Sequence, residues 1–314
     1  MRAGERGHEA AASRMSLARL RGLLANPWSR PRWLVVITWA YMVWSIVPVL
    51  IAIQFSFNDG RSIAVWQGFS ATRWYWGDHV NSVWHDPTLQ HALIQSLKLA
   101  GLDMLIATPI GVLLALGLAR WRGHGARPAN FLMLFPLVTP EIVMGVSLYL
   151  VFQYVFVFVH PSTTAQVLGQ VTFSISYVVV VVRGRLLSIG RQYEEAAADL
   201  GATTWESLRL VLMPLLLPSI LASMMIVFAI SIDNFVITQW LSCGASCDTI
   251  PIKVYNASRA APLPSINALA AIMVYLTLTA VGAAYLLYRL LTRGEHGKGS
   301  AQADIARMGS IDFN

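Results

Sequence analysis

Six stretches of this chain run apolar for roughly twenty residues each, the length that crosses a hydrocarbon layer as a helix rising about 1.5 Å per residue. No other feature limits the fold so tightly. The stretches cover residues 34–53, 97–119, 131–152, 168–187, 219–240 and 266–291. In lipid each backbone must satisfy its own hydrogen bonds, so all six are read as helices. That includes the β-branched run 178–182, which in water would favour a strand. Composition agrees: 56% of the residues are hydrophobic and 12% charged, against about 25% charged in soluble domains. The expected fold class is an all-α integral membrane protein with six transmembrane helices.

The net charge of +7 sits beside the apolar runs rather than on a compact basic domain. It therefore speaks for membrane topology and against nucleic acid as a partner. Arg2, Arg6, Arg14, Arg19, Arg21, Arg30 and Arg32 precede the first run, and Arg120, Arg122 and Arg127 separate the second and third. Arg183, Arg185, Arg191 and Arg209 follow the fourth; Arg289, Arg293, Lys298 and Arg307 follow the sixth. The opposite side carries Arg61, Arg73, Lys253 and Arg259, with Lys98 at a span edge. Both termini, residues 1–33 and 292–314, are thus expected in the cytoplasm, with residues 54–91 as an extracytoplasmic loop. Residues 34–53 are long for a signal peptide, and QFSFNDG follows rather than a small-residue cleavage pattern, so a retained first helix is expected.

The loop after the first helix holds Trp66, Trp74, Trp76 and Trp84. They form either an interfacial aromatic belt or a cation-binding box. The two cysteines, Cys243 and Cys247, are too few for a metal framework and pair either as a small disulfide or not at all.

Residues 190–214 break the pattern, being acidic, alanine-rich and glycine-hinged between two apolar runs. Glu194 and Glu195 suit the start of a helix, where negative charge meets the dipole. Ala196, Ala197 and Ala198 favour helix, and Gly201 permits the left-handed turn that ends one. Thr203 and Glu206 have the spacing of a capping box for a second helix. There Leu208, Val211 and Leu212 share a face, and Pro214 and Pro218 are expected to close it. Two helices this short cannot stand alone. The segment either lies on the headgroups or docks into a partner, with Glu195 available to a basic residue there.

Glu195-Ala196-Ala197, Gly201 and Val211-x-Met213-Pro214 stand at the spacing of the EAA loop. The chain therefore resembles the permease subunits of type I ABC importers. Val211 and Met213 replace the usual Ile and Leu. The resemblance implies a transmembrane domain over residues 92–291, whose segment 190–214 is the coupling helix seated in a cytoplasmic ATPase. FSFNDG, GFSATRWYW, FPLVTPEIVMGVSL, ISIDNFVITQW, RGRL and LPSINAL are further similar to the second permease subunit of spermidine/putrescine transporters. That likeness implies a sister permease in a heterodimer, two ATPase subunits, an extracytoplasmic binding protein and a bacterial inner membrane. Related importers of iron, thiamine or sulfate share the loop, so those cargoes are the alternative.

Asp103, Glu141 and Asp233 lie within or beside expected spans. An ionised carboxylate there costs a few kcal/mol and should face a partner or a wet path. All three are candidates for the substrate pathway, where carboxylates would suit polyamine ammonium groups. Glu141 alternatively begins a helix restarting after Pro140, and Asp103 is alternatively structural. Asp233 is the deepest by these boundaries, and Asn234 stands where the subfamily carries a second acid. Pro109, Pro136 and Pro140 are expected to kink the second and third spans.

Catalytic chemistry is not expected. The run GEHGKGS lacks the spacing of a phosphate-binding loop, and no H-E-x-x-H occurs among the seven histidines. ATP and Mg²⁺ would sit on the partner ATPase, and no cofactor on this chain. A lone secondary carrier would leave the 190–214 segment unexplained.

Overall fold

The computed structural model describes residues 32–121, 123–259 and 264–308, with side chains given from Trp33 to Arg289 except at 284, 287 and 288. The arginines of residues 1–31, Arg122, and the side chains of Arg293, Lys298 and Arg307 lie outside what is described. Among the described residues helices dominate, and the one β contact is an isolated antiparallel bridge between Asn58 and Phe69.

The chain divides into two units, residues 1–54 and 55–314. The first contains most of α1 (Arg32–Ser56), whose tryptophans and aliphatic side chains are exposed on every face. Such a surface is stable only against lipid or protein.

In the second unit a π-helical turn (Arg73–Gly77) precedes α2 (Pro87–Arg120), α3 (Ala126–Val138), α4 (Glu141–Tyr154) and α5 (Thr163–Ile189). Then come α6 (Gln192–Asp199), α7 (Thr204–Glu206), a second π-helical turn (Ser207–Leu212) and α8 (Met213–Asp233). The chain ends with α9 (Val236–Trp240), α10 (Ile250–Arg259) and α11 (Pro264–Met308). Five helical runs are long and apolar enough to cross a membrane, and the bent pair α3–α4 makes six if it crosses as one.

Helices α2, α5 and α8 form the centre. Ala92, Ser96, Leu99, Asp103, Ala107 and Gly111 recur every three or four positions down the buried face of α2. A Cβ on Gly111 would fall 2.5 Å from Val178 Cβ on α5, so only glycine lets these helices approach this closely. A polar ladder runs beside the apolar contacts. Gln166 Nε2 donates to the Thr238 and Cys247 carbonyls, each at 3.0 Å. Gln95 Nε2 reaches Gln166 Oε1 at 3.1 Å, and Ser231 Oγ donates to Gln170 Oε1 at 2.5 Å. In a medium without water these bonds tie helices that apolar packing alone would leave free to slide.

Five expectations are corrected. The third span is two helices bent by 108°. Thr139, placed before Pro140, takes an extended conformation, and its hydroxyl returns to the Phe135 carbonyl at 2.8 Å. Pro109, by contrast, lies inside an unbroken α2. The fifth span ends at Asp233 instead of continuing to Trp240, because extended Asn234 uses its Oδ1 to accept from Ile237 N at 3.0 Å and starts α9. Pro214 and Pro218 do not close a helix. Pro214 sits in the first turn of α8, where a missing N–H costs little, and the wider π turn leads into it. Residues expected to lie in the loop and the tail are also helical: α2 starts at Pro87, capped by Asp86, and α11 runs on to Met308.

The segment after α1 is folded on itself. Trp74 is fully buried and donates its Nε1–H to the Asn58 carbonyl at 2.6 Å, whereas Trp66, Trp76 and Trp84 are exposed. Among the described residues no two of these four rings touch, so they form no aromatic box. Asp78 accepts from Val80 N and Asn81 N, both at 3.0 Å, and these N–H groups hold its carboxyl below the usual range. Cys243 and Cys247 form a disulfide, with Cα atoms 5.3 Å apart.

Candidate functional site

Segment 190–214 folds as its residues suggest. Gly190 and Gly201 take φ of +74° and +83° and bracket α6 with left-handed turns. The capping box is complete: Glu206 N donates to Thr203 Oγ1 at 3.3 Å, and Thr203 N donates to Glu206 Oε2 at 2.8 Å. Leu212 joins the central core, with Leu208 packed against it. The opposite side presents Leu200, 89% exposed, and Trp205, 68% exposed. Two apolar side chains held this far out of the fold are unusual unless something covers them.

The two glutamates part company. Glu195 and Ala196 are exposed, Ala197 is buried, and Pro214 is exposed at the start of α8. Glu194 turns inward and forms an ion pair with Arg120 at the end of α2. Between them, α2 and the segment enclose a concavity of about 560 Å³ lined in part by Arg120, Arg191, Glu194 and Ser207. From Thr204 to Asp233 the chain is one helical run of 30 residues, π turn included. The segment is therefore joined end to end with Asp233 by a single rod.

Asp233 and Glu141 line one concavity of about 350 Å³ together with Tyr177, Ala229, Ile230 and Asn234. Asp233 also lines a second, of about 630 Å³, whose walls include Tyr255, Ser258 and Thr277. Both acids are exposed, and among the described residues neither makes a hydrogen bond or ion pair. Asp103 is not with them. It is fully buried, with Oδ2 accepting from Ser174 Oγ at 2.7 Å, which ties α2 to α5, while Oδ1 has no hydrogen-bond partner among the described residues. Among the described residues no cluster of side chains could hold a metal ion.

Sequence reasoning missed three participants. Arg120 was assigned only to topology, and its partner lies far along the chain, so no local spacing reveals the pair. Tyr177 is hidden in an otherwise aliphatic run. Tyr255 belongs to α10, a helix whose apolar positions Ile250 and Val254 at i, i+4 were the available signal. Its ring packs on Phe235 with centroids 4.6 Å apart and lies under the Arg259 guanidinium.

Comparison with known proteins matches residues 107–296 to the family of the binding-protein-dependent transport system inner membrane component. The spermidine/putrescine transport system permease protein PotC of Haemophilus influenzae is 32% identical over 257 residues, 82% of this chain and 94% of that protein. The putrescine transport system permease protein PotI of Escherichia coli is 32% identical over 275 residues, 86% and 94% of the two chains. Among solved structures, one chain of a bacterial ABC transporter involved in importing the acidic polysaccharide alginate superposes with a TM-score of 0.66 at 18% identity. It covers 87% of this chain and 99% of its own, a likeness of fold.

Proposed function

The chain belongs to the binding-protein-dependent transport system inner membrane components, and from that premise we propose that it forms half of the polyamine pathway of an ATP-driven importer. The observation that carries the cargo is the concavity shared by Glu141 and Asp233. Two carboxylates without protein partners at membrane depth are costly alone and suit the ammonium groups of putrescine or spermidine. PotC and PotI, the relatives reported above, carry those cargoes in their names. With Asn234 spent on capping α9, the second acid beside Asp233 comes from α4 rather than from the neighbouring residue.

Energy comes from elsewhere. Two partner ATPases bind ATP and Mg²⁺, close together and push on the segment 190–214. Leu200 and Trp205 give that partner an apolar anchor, and exposed Glu195 offers a charge beside them in sequence. The continuous run from Thr204 carries the displacement to Asp233, changing which side of the membrane the acid-lined space faces. A sister permease supplies the other half of the path, a binding protein delivers the polyamine, and both termini of this chain lie in the cytoplasm. The chain itself catalyses no reaction and holds no cofactor.

The complex of both permeases, the ATPase and the binding protein, reconstituted in proteoliposomes, tests this with labelled spermidine and putrescine. ATP-dependent uptake that survives collapse of the proton gradient is expected. Absence of uptake for both cargoes overturns the polyamine reading, and uptake without ATP overturns the importer. Glu195→Gln and Gly201→Val are expected to reduce the ATPase that co-purifies with the membrane subunits. Full retention by both would remove the docking role.

A further inference from the structure

We propose that Arg120 and Glu194 are positioning residues, an intrachain latch that fixes the angle at which the coupling segment meets the ATPase. The proposal rests on the docking reading of residues 190–214. Of the eight residues of α6, only Glu194 and Ala197 are not exposed, and they stand at i, i+3 on its inward face. Ala197 contributes one methyl group, so Glu194 is the sole charge holding the helix to the body of the protein. Its partner Arg120 is the last residue of α2, and both side chains are about three-quarters screened from solvent, 29% and 25% exposed.

The surroundings make this contact decisive for orientation. Gly190 and Gly201 flank α6 with positive φ, and neither would meet a neighbour if it carried a Cβ. Backbone hydrogen bonds such as Ala202 N to the Ala197 carbonyl at 3.0 Å close the ends of α6, but no side-chain packing at either glycine fixes its direction. Arg191 lines the same concavity as a second cation, so losing Arg120 would leave Glu194 a neighbour of like reach but with no anchor on α2. Glu195, one residue on, is exposed and lines the same concavity without pairing to Arg120. Two adjacent carboxylates thus divide the work, Glu194 taken up by the pair with its own chain and Glu195, unpaired among the described residues, left for the partner.

The test uses the full reconstituted complex and reads ATP hydrolysis without any cargo, so it does not depend on polyamine being the substrate. Glu194→Gln and Arg120→Gln should each change the binding-protein-stimulated hydrolysis rate about two- to fivefold, the scale of a partly exposed ion pair. The amount of co-purified ATPase should stay at the wild-type level. The exchanged pair Arg120→Glu with Glu194→Arg should restore the wild-type rate. Unchanged rates in the single variants, or no rescue by the exchange, overturn the latch. If Glu194→Gln lowers co-purified ATPase while Arg120→Gln does not, Glu194 contacts the partner directly and the latch is also overturned. Loss of the ATPase from the wild-type complex itself would instead overturn the docking reading.

Discussion

Asp103 and Asp233 are both aspartates in apolar helices, yet the molecule treats them oppositely. Asp103 is sealed between α2 and α5 with a serine hydroxyl on Oδ2 and no partner on Oδ1 among the described residues, and the ladder of Gln95, Gln166, Gln170 and Ser231 joins these helices to α8. Asp233 stands at the end of α8, open to two concavities, with Glu141 across one of them. The difference teaches that a charge in a span is not a sign of transport. A buried carboxylate fastened by a hydroxyl from the neighbouring helix belongs to a helix interface. One left unpaired beside a cavity is available to something that enters it.

The sharpest way to break this contrast is to make the same substitution at both positions. Asp233→Asn is expected to lower polyamine uptake about tenfold or more, the scale of one charge-assisted contact, with thermal stability of the complex unchanged. Asp103→Asn keeps an acceptor for Ser174 and should leave uptake near wild type; equal losses in the two variants would erase the distinction. Next in size, Gln166→Leu would strand the Thr238 and Cys247 carbonyls. A loss of about 1–3 kcal/mol is expected, read as a lower melting temperature in detergent with the cargo preference intact.

Glu141→Gln should reduce uptake less than Asp233→Asn, because Asp233 lines both concavities and Glu141 only one. In the double variant the effects should fall short of additive. Smallest is Asp78, whose carboxyl is held below its usual range by two backbone N–H groups. Its contribution is present at neutral pH and lost as pH falls through that lowered value. Faster amide exchange at Val80 and Asn81 in Asp78→Ala, with uptake unchanged, is the expected outcome.

Much of the frame can be read from the chain. Apolar runs place α1, α2, α5, α8 and α11, because helix length against bilayer thickness is a one-dimensional constraint. The capping box at Thr203 and the left-handed Gly201 are equally local, set by side chains three residues apart or by one missing Cβ. Pro140 followed by Glu141 contains the break between α3 and α4, though hydropathy averaged over the run conceals it.

What the residues could not give were the meetings of distant parts. Three acids were all candidates for the pathway, each with its own alternative, until packing put Asp103 inside and brought Glu141 from α4 to Asp233. Sequence singled out Glu195 by its motif but gave adjacent Glu194 no partner, and only the fold of α2 delivered Arg120 to it. Hydrophobicity and capping act over a helical turn, so sequence alone determined which runs are apolar helices and where the caps of the coupling segment fall. The partner of each charge depends on which helices lie side by side, and only the tertiary structure decided that.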